Sequence, residues 1–445
     1  MKSMKDNLFT LNRGLTFFFY VLFLFSNLLF AQHNIDKLVT PTFEDPSLDQ
    51  AFIQEKVDSI MHLGITKKAF PGAQLLVAEK GNIIFHQAYG FHTYDSIQNV
   101  KLDDIYDLAS VTKITGPLPI LMKLYDEGKL NLDVPFSTYW KPWKHKKNKK
   151  DITLRELLAH QSGLQPYIVF LEEVIKNDKL KRRFIRTKSN NRFSKQAYQE
   201  LYVNKRFKKR MFRSISKSTV SDDKIYKYSG LASLIYPTLI ENLTGENYTE
   251  YLDKHFYKSL GCKTLGYNPA LKNYKNTVVP TELDTIFRND LTKAWVHDEN
   301  AALLGGVSGN AGLFGTALDL AIYMQMLIQK GSYNGKQYFK PSTVNEFTKI
   351  QYPKNENRRG LGFDKPLIGN DTLSIKKAYP APEVSEESFG HAGFTGTFVW
   401  ADPKHDLVFV FLSNRVNPSR THRNIYNLNI RPALQQVFYQ ASKSK

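Results

Sequence analysis

The residues Asp107-Leu108-Ala109-Ser110-Val111-Thr112-Lys113 follow a short apolar-alternating segment and open a helical pattern. If Ser110 begins a helix, Lys113 stands one turn on and on the same face, where its amine reaches the serine hydroxyl. A serine hydroxyl is a weak nucleophile at neutral pH. It needs a neighbour that takes its proton and N–H groups that receive an oxyanion, and the positive end of a helix adds to the second of these. Ser-x-x-Lys also recurs by chance in long chains, so its weight depends on what accompanies it.

Other residues could join such a site. Tyr228, in Tyr226-Lys227-Tyr228-Ser229-Gly230, precedes a helical pattern over 231–243 and can point into a cleft from that junction. His391, in Phe389-Gly390-His391-Ala392-Gly393-Phe394-Thr395-Gly396, opens a strand that reaches Trp400. Either could instead belong to the core. His160, in His160-Gln161-Ser162-Gly163, and the trio His297-Asp298-Glu299 read as turn-stabilising groups, and Lys227 as a solvated charge.

The elements that must position these residues follow from periodicity. Apolar residues at helical spacing over 47–65 predict an amphipathic helix. Residues 73–78 and 83–89 around Lys80-Gly81-Asn82 predict a hairpin. Pro117 predicts a helix restart after Lys113, running to Tyr125 and stopping near Gly128. A capped helix is expected over 151–158, another over 318–329, a second strand over 407–412 and a closing helix near 429–441. Strands at both ends with a mostly helical middle imply an α+β fold. One antiparallel sheet is completed by both termini and flanked by helices, with a large helical region inserted and the site in the groove between.

The chain has 445 residues, 42% hydrophobic and 13% aromatic, which suits a large globular core and excludes a disordered chain. Lys2, Lys5 and Arg13 precede the apolar run 15–30 and Ala31, so residues 1–31 read as a secretory signal cut after Ala31, with 32–445 the mature domain. The alternative is an uncleaved membrane anchor, which the poor Leu29 near the cut keeps open. No cysteine follows the run, which argues against a lipoprotein. Cys262 is alone, cannot form an internal disulfide, and is expected as a small buried apolar residue. No His-Glu-x-x-His, paired Cys-x-x-Cys or phosphate-cradling Gly-Lys loop is present, so neither metal nor nucleotide cofactor is expected.

Net charge is +19, yet Lys141–Lys217 alone carries 23 Lys and Arg against 6 Asp and Glu. The basic character is therefore local. Interleaved Phe184, Phe193, Tyr198, Tyr202, Phe207 and Phe212 could mean nucleic acid, but an exported chain meets little of it. The expected arrangement is two or three helices whose aromatics pack inward and whose cations are solvated or form a functional basic rim, in an insertion over about 141–225.

Ser110-x-x-Lys113, Tyr228-Ser and His391-x-Gly, in this order and wide spacing, resemble the serine β-lactamase and penicillin-binding-protein superfamily. The resemblance runs from Pro71-Gly72 to about Arg431 and is nearest the class C β-lactamase-like serine hydrolases, which include periplasmic D,D-carboxypeptidases and esterases. It implies Ser110 as nucleophile, Lys113 as proton acceptor and Tyr228 as partner base and proton carrier to the leaving group. It implies His391 as a proton donor at the sheet edge, in the place of the Lys of a Lys-Thr-Gly element. The N–H groups of Ser110 and Phe394 would form the oxyanion hole beside Ala392 and Gly393. Two positions depart from the family pattern. Gly230 stands where relatives often have Asn, and Ala392 where many have Thr, removing an amide and a hydroxyl that could bind substrate. The expected function is an exported serine hydrolase acting on D-alanyl peptides or related peptidoglycan-derived acyl compounds. The alternatives are a carboxylesterase using the same residues, or a non-catalytic envelope-binding protein. The basic insertion is expected near the cleft, steering an anionic envelope polymer.

Overall fold

The computed structural model describes residues 37–40 and 47–441. The expected secretory signal lies outside these residues. Asp49 accepts a hydrogen bond from Phe52 N and so caps helix α1, Gln50–Thr66, whose Ile53, Val57 and Met61 form a buried stripe. Strands β1 (Gly72–Glu79) and β2 (Asn82–Gly90) form the hairpin around Lys80-Gly81, where both turn residues have positive φ. After the serine turn comes α2, Pro117–Asp126, with proline in the first turn as its missing N–H permits. Strands β3 (Phe193–Tyr198) and β4 (Leu201–Asn204) and helix α3 (Phe207–Lys217) belong to the basic insertion. Helices α4 (Tyr236–Thr244) and α5 (Ala317–Ile328) follow, then strands β5 (Phe389–Ala392), β6 (Phe398–Asp402) and β7 (Leu407–Ser413), and helix α6 (Ile430–Gln440).

The main sheet runs β5-β6-β7-β1-β2, antiparallel throughout, with Leu75 opposite Phe411 and Val399 opposite Val410. Both chain ends therefore build one sheet, as expected. Alternate residues face two separate cores. Leu75, Val77, Trp400, Phe409 and Phe411 pack with α1 and α6, while Leu76, Val399, Val408 and Val410 pack with α5 and the helical part. With both faces covered, the strands are apolar at successive positions. Among the described residues no helix is long and apolar enough to cross a membrane.

Three expectations need correction. The helix expected over 231–243 starts only at Tyr236, because Pro237 lacks an N–H donor and is favoured in a first turn. The insertion is not helical throughout. It holds the eleven-residue α3 and two short helices, Leu154–Leu158 and Leu171–Val174, beside a three-stranded antiparallel sheet in which β4 pairs with β3 and with Ile185–Arg186, and its aromatics at 193, 198 and 202 lie on strands. Gln199-Glu200 closes the β3–β4 turn, and irregular register at Phe193/Lys195 and Gln196/Tyr198 breaks the inward alternation of β3, leaving Phe193, Ala197 and Tyr198 buried. Its aromatics do pack, Phe184 on Phe207 at 5.2 Å and Trp140 on Phe212 at 5.5 Å between ring centres. Cys262 is half-buried, its Sγ 3.6 Å from Asp319 O.

Candidate active site

Ser110 sits on a turn held from three directions. Asp107 closes a short strand pairing with Leu313–Gly315, and its buried carboxylate accepts Ala109 N at 2.8 Å and His297 N at 2.7 Å. The first bond fixes Ala109 at φ +45°, a costly conformation for a residue with a Cβ, so the turn before Ser110 is held under strain. Leu108 N donates to Leu313 O at 3.0 Å and Leu313 N donates to Thr112 Oγ1 at 3.1 Å, tying the glycine-rich segment to the serine helix. From that segment Asn310 O accepts Lys113 Nζ at 3.2 Å. Lys113 Nζ also donates to Ser110 Oγ at 2.9 Å, the pairing expected from their spacing.

Tyr228 joins this pair. Lys113 Nζ lies 5.3 Å from its ring centre, and Ser110, Lys113 and Tyr228 line the same cavity. Burial alone would raise the Tyr228 pKa. The charge of Lys113, the polar neighbourhood of Lys113 and Ser110, and the charge of Arg359 outweigh it and leave the phenol below its ordinary value.

His160 and His391 flank the phenol ring, at 4.4 and 6.1 Å between ring centres. His160 was expected only to stabilise a turn, and it does more. Its carbonyl accepts Lys227 N at 2.9 Å and its Nδ1 accepts Ser229 N at 3.3 Å, clamping the segment that carries Tyr228 on both sides. His391 Nδ1 lies 2.7 Å from Ala392 O, and a carbonyl only accepts, so the proton is on Nδ1. Burial, with the charges of Arg359 and Lys113, lowers the His391 pKa to about 3. At neutral pH its Nε2 is thus a lone pair, not the donor anticipated, and His391 is buried rather than lining the cavity.

Arg359 was missed in the sequence, where it is one cation among many. It is fully buried 5.7 Å from the Tyr228 ring centre, with Nη1 3.1 Å from Asp364 and Nη2 donating to Gly362 O at 3.1 Å. Asp364 in turn pairs its backbone with Gly390, so the ion pair is fastened next to His391. Only the fold reveals a buried arginine behind the phenol.

The turn after β5 closes over the serine. Thr395 Oγ1 donates to Asp107 O at 2.7 Å and Thr397 Oγ1 to Leu108 O at 3.1 Å. A Cβ on Gly393 would lie 2.6 Å from Leu108 O and 2.0 Å from Thr397 Oγ1, so only glycine permits this approach. Phe394 is 45% exposed at the mouth.

These residues open into a cavity of about 810 Å³ lined by Ser110, Lys113, Tyr228, Gly230, Asn310 and Phe394. Its outer wall is apolar, with Tyr167, Val169, Leu171, Ile175 and Ile286. Glu299 and Glu282 hold Arg420 there at 2.7 and 2.6 Å, and His297 Nε2 is 2.8 Å from Glu282. The basic insertion does reach the cavity, but with Lys176 against Glu172 and Asp178, so it brings no positive excess. Among the described residues no cluster of His, Cys, Asp or Glu is placed to hold a metal ion.

A sheet built from both chain ends, with a Ser–Lys–Tyr cluster at the edge of the helical part, defines a serine hydrolase of the β-lactamase and penicillin-binding type. The Beta-lactamase family model matches residues 50–431, and the chain belongs to that family. It is 28% identical over 384 residues to N-acetylmuramyl-L-alanine amidase of Bacillus subtilis (strain 168), covering 81% of this chain and 80% of that protein. It is 28% identical over 370 residues to an Escherichia coli O157:H7 protein named "Putative D-alanyl-D-alanine carboxypeptidase", covering 78% and 79%. A crystal structure of a class C beta lactamase superposes with a TM-score of 0.60 at 15% identity, over 88% of this chain and 99% of that one.

Proposed function

We propose that this serine hydrolase is exported and forms an acyl-enzyme on Ser110 from D-alanyl peptides or related peptidoglycan-derived acyl compounds. The observation that carries the reading is the 2.9 Å hydrogen bond from Lys113 Nζ to Ser110 Oγ, with the Tyr228 ring 5.3 Å from the same ammonium and all three residues lining the cavity. The names of the Bacillus and Escherichia relatives support a cell-wall substrate, and the amino-terminal basic and apolar run supports export.

The Tyr228–Lys113 pair takes the Ser110 proton as Oγ bonds to the substrate carbonyl carbon. The two groups act as one coupled base, with the ammonium charge stabilising the phenolate. The oxyanion is received by the N–H groups of Ser110 and Phe394, which the Thr395 and Thr397 bonds bring together beside Ala392 and Gly393. Collapse breaks the carbonyl bond to the leaving amine, which takes the proton from Tyr228. Water then attacks the acyl carbon, giving one proton to Tyr228, and Ser110 leaves with it. His391, His160 and Arg359 position and charge-tune the phenol rather than touching substrate.

A second reading, a carboxylesterase for uncharged esters, is favoured by the apolar outer wall and by the missing side chains at Gly230 and Ala392. Intact-protein mass after mixing with penicillin, and in parallel turnover of a p-nitrophenyl ester, separates the two. The wall-peptide reading expects a penicillin adduct absent from Ser110→Ala. Ester turnover that requires Ser110 without an adduct would favour the esterase. Neither signal would overturn both.

A further inference from the structure

The insertion holds a second cavity, of about 530 Å³, that shares no lining residue with the first. It lies between Trp140–Lys146 and helix α3. Six cations line it: Lys146, Lys205, Lys208, Lys209, Arg213 and Lys217. Among the described residues none of the six has an acidic partner within 4 Å, although Arg210 on the same helix is paired with Glu173. Six unpaired like charges around one hollow repel one another, a cost that an anion between them removes. Burial depresses the Lys208 ammonium below its ordinary value, with Glu241 opposing and Lys195 adding to the effect.

The floor is of different chemistry. Trp140 and Phe212 meet edge to face, and Pro142 lies beside them. A hydrated polyanion would satisfy the cations and leave the apolar floor unmatched. A neutral apolar molecule would do the reverse. The volume lies within the range of small-molecule sites.

We propose that this groove binds an anionic amphiphile, a single alkyl chain ending in phosphate or carboxylate, with the head among the lysines and Arg213 and the chain on Trp140 and Phe212. The site is separate from the catalytic cavity and adds a binding activity to the hydrolase. The basic insertion then acts by holding a lipid-like anion rather than by steering substrate into the cleft.

The test is calorimetric titration of the mature chain with octyl and dodecyl phosphate below their micelle concentrations, with dodecanol and inorganic polyphosphate as controls. One dodecyl phosphate per chain is expected. Affinity should fall by about fourfold for each methylene removed, and dodecanol should bind at least tenfold more weakly. The double variant Lys209→Glu, Arg213→Glu changes two exposed side chains. It should weaken dodecyl phosphate at least tenfold and leave Ser110-dependent ester turnover unchanged. Equal binding of polyphosphate and dodecyl phosphate would overturn the proposal in favour of a simple polyanion patch. Equal binding of dodecanol would reduce the groove to an apolar slot. No binding, or binding insensitive to the double variant, would also overturn it. Ester turnover in the same preparation reports the catalytic reading independently.

Discussion

At the scale of single residues, Tyr228 carries the sharpest expectation. Its phenol lies in desolvated surroundings, where ionisation is normally suppressed, yet Lys113 and Arg359 bring its pKa down. The base form therefore grows as pH rises, at values below the ordinary phenol value of 10.0. The kcat/KM of the unaltered enzyme should climb with pH, and the climb should be centred below pH 10. Tyr228→Phe should lose about 10²–10⁴-fold in kcat, keep its melting temperature and show no such climb. Unchanged kcat in that variant would remove Tyr228 from the proton path. Gly230 gives a gain-of-contact test. A Cβ there meets nothing within 4 Å and its φ is not left-handed, so Gly230→Asn should be accommodated within about 0.5 kcal/mol of stability. A new amide facing a peptide substrate is worth roughly 0.5–1.5 kcal/mol, or a KM lowered about two- to tenfold. Simple esters, which lack the matching amide, should be unaffected. Equal changes for peptide and ester would show that the introduced asparagine acts on cavity shape alone.

At the scale of elements, the Thr395 bond tests how the serine turn is held. Thr395→Val keeps the volume but leaves Asp107 O without its buried donor, a loss of about 1–3 kcal/mol. Because that bond joins the β5–β6 turn to the serine turn, kcat should fall while KM stays close to its original value. A KM effect alone would mean that the turn binds substrate without shaping the oxyanion site. What the sequence reveals follows the range of the interactions involved. The hairpin at Lys80-Gly81, the restart at Pro117 and the pairing of Ser110 with Lys113 depend on neighbours within a few residues, so local chemistry determines them. The β3–β4 sheet of the insertion is harder to recognise, because register shifts at Phe193/Lys195 and Gln196/Tyr198 break the two-residue alternation that would mark a strand. Arg359 and the clamp of His160 on Ser229 span tens to hundreds of residues, and no local pattern encodes such a meeting. Thr395 and Thr397 likewise look like ordinary strand-edge threonines until the fold sets them against Asp107 and Leu108.

At the scale of the whole molecule, the site's electrostatics reach the stability of the fold. His160 is buried and faces Arg359, Lys113 and His391. Burial, then those charges, hold its pKa well below the ordinary value of 6.5, with the Ser229 bond opposing. His391 is held to about 3 by burial and by Arg359 and Lys113. In the unfolded chain both rings take up a proton near pH 6.5. Below that pH the unfolded state binds protons that the native state refuses, so stability falls as pH falls. Each such ring contributes up to about 1.4 kcal/mol per pH unit. His160→Asn isolates one of these contributions, since asparagine tolerates the φ of +55° at this position and its carbonyl can accept Ser229 N–H. Urea unfolding at pH 7 and pH 5 should show the unaltered chain losing about 1–2 kcal/mol more than the variant over that interval. Equal losses would mean that His160 is protonated in the native state, and a cation 4.4 Å from the phenol ring would then have to be counted among the charges that lower Tyr228.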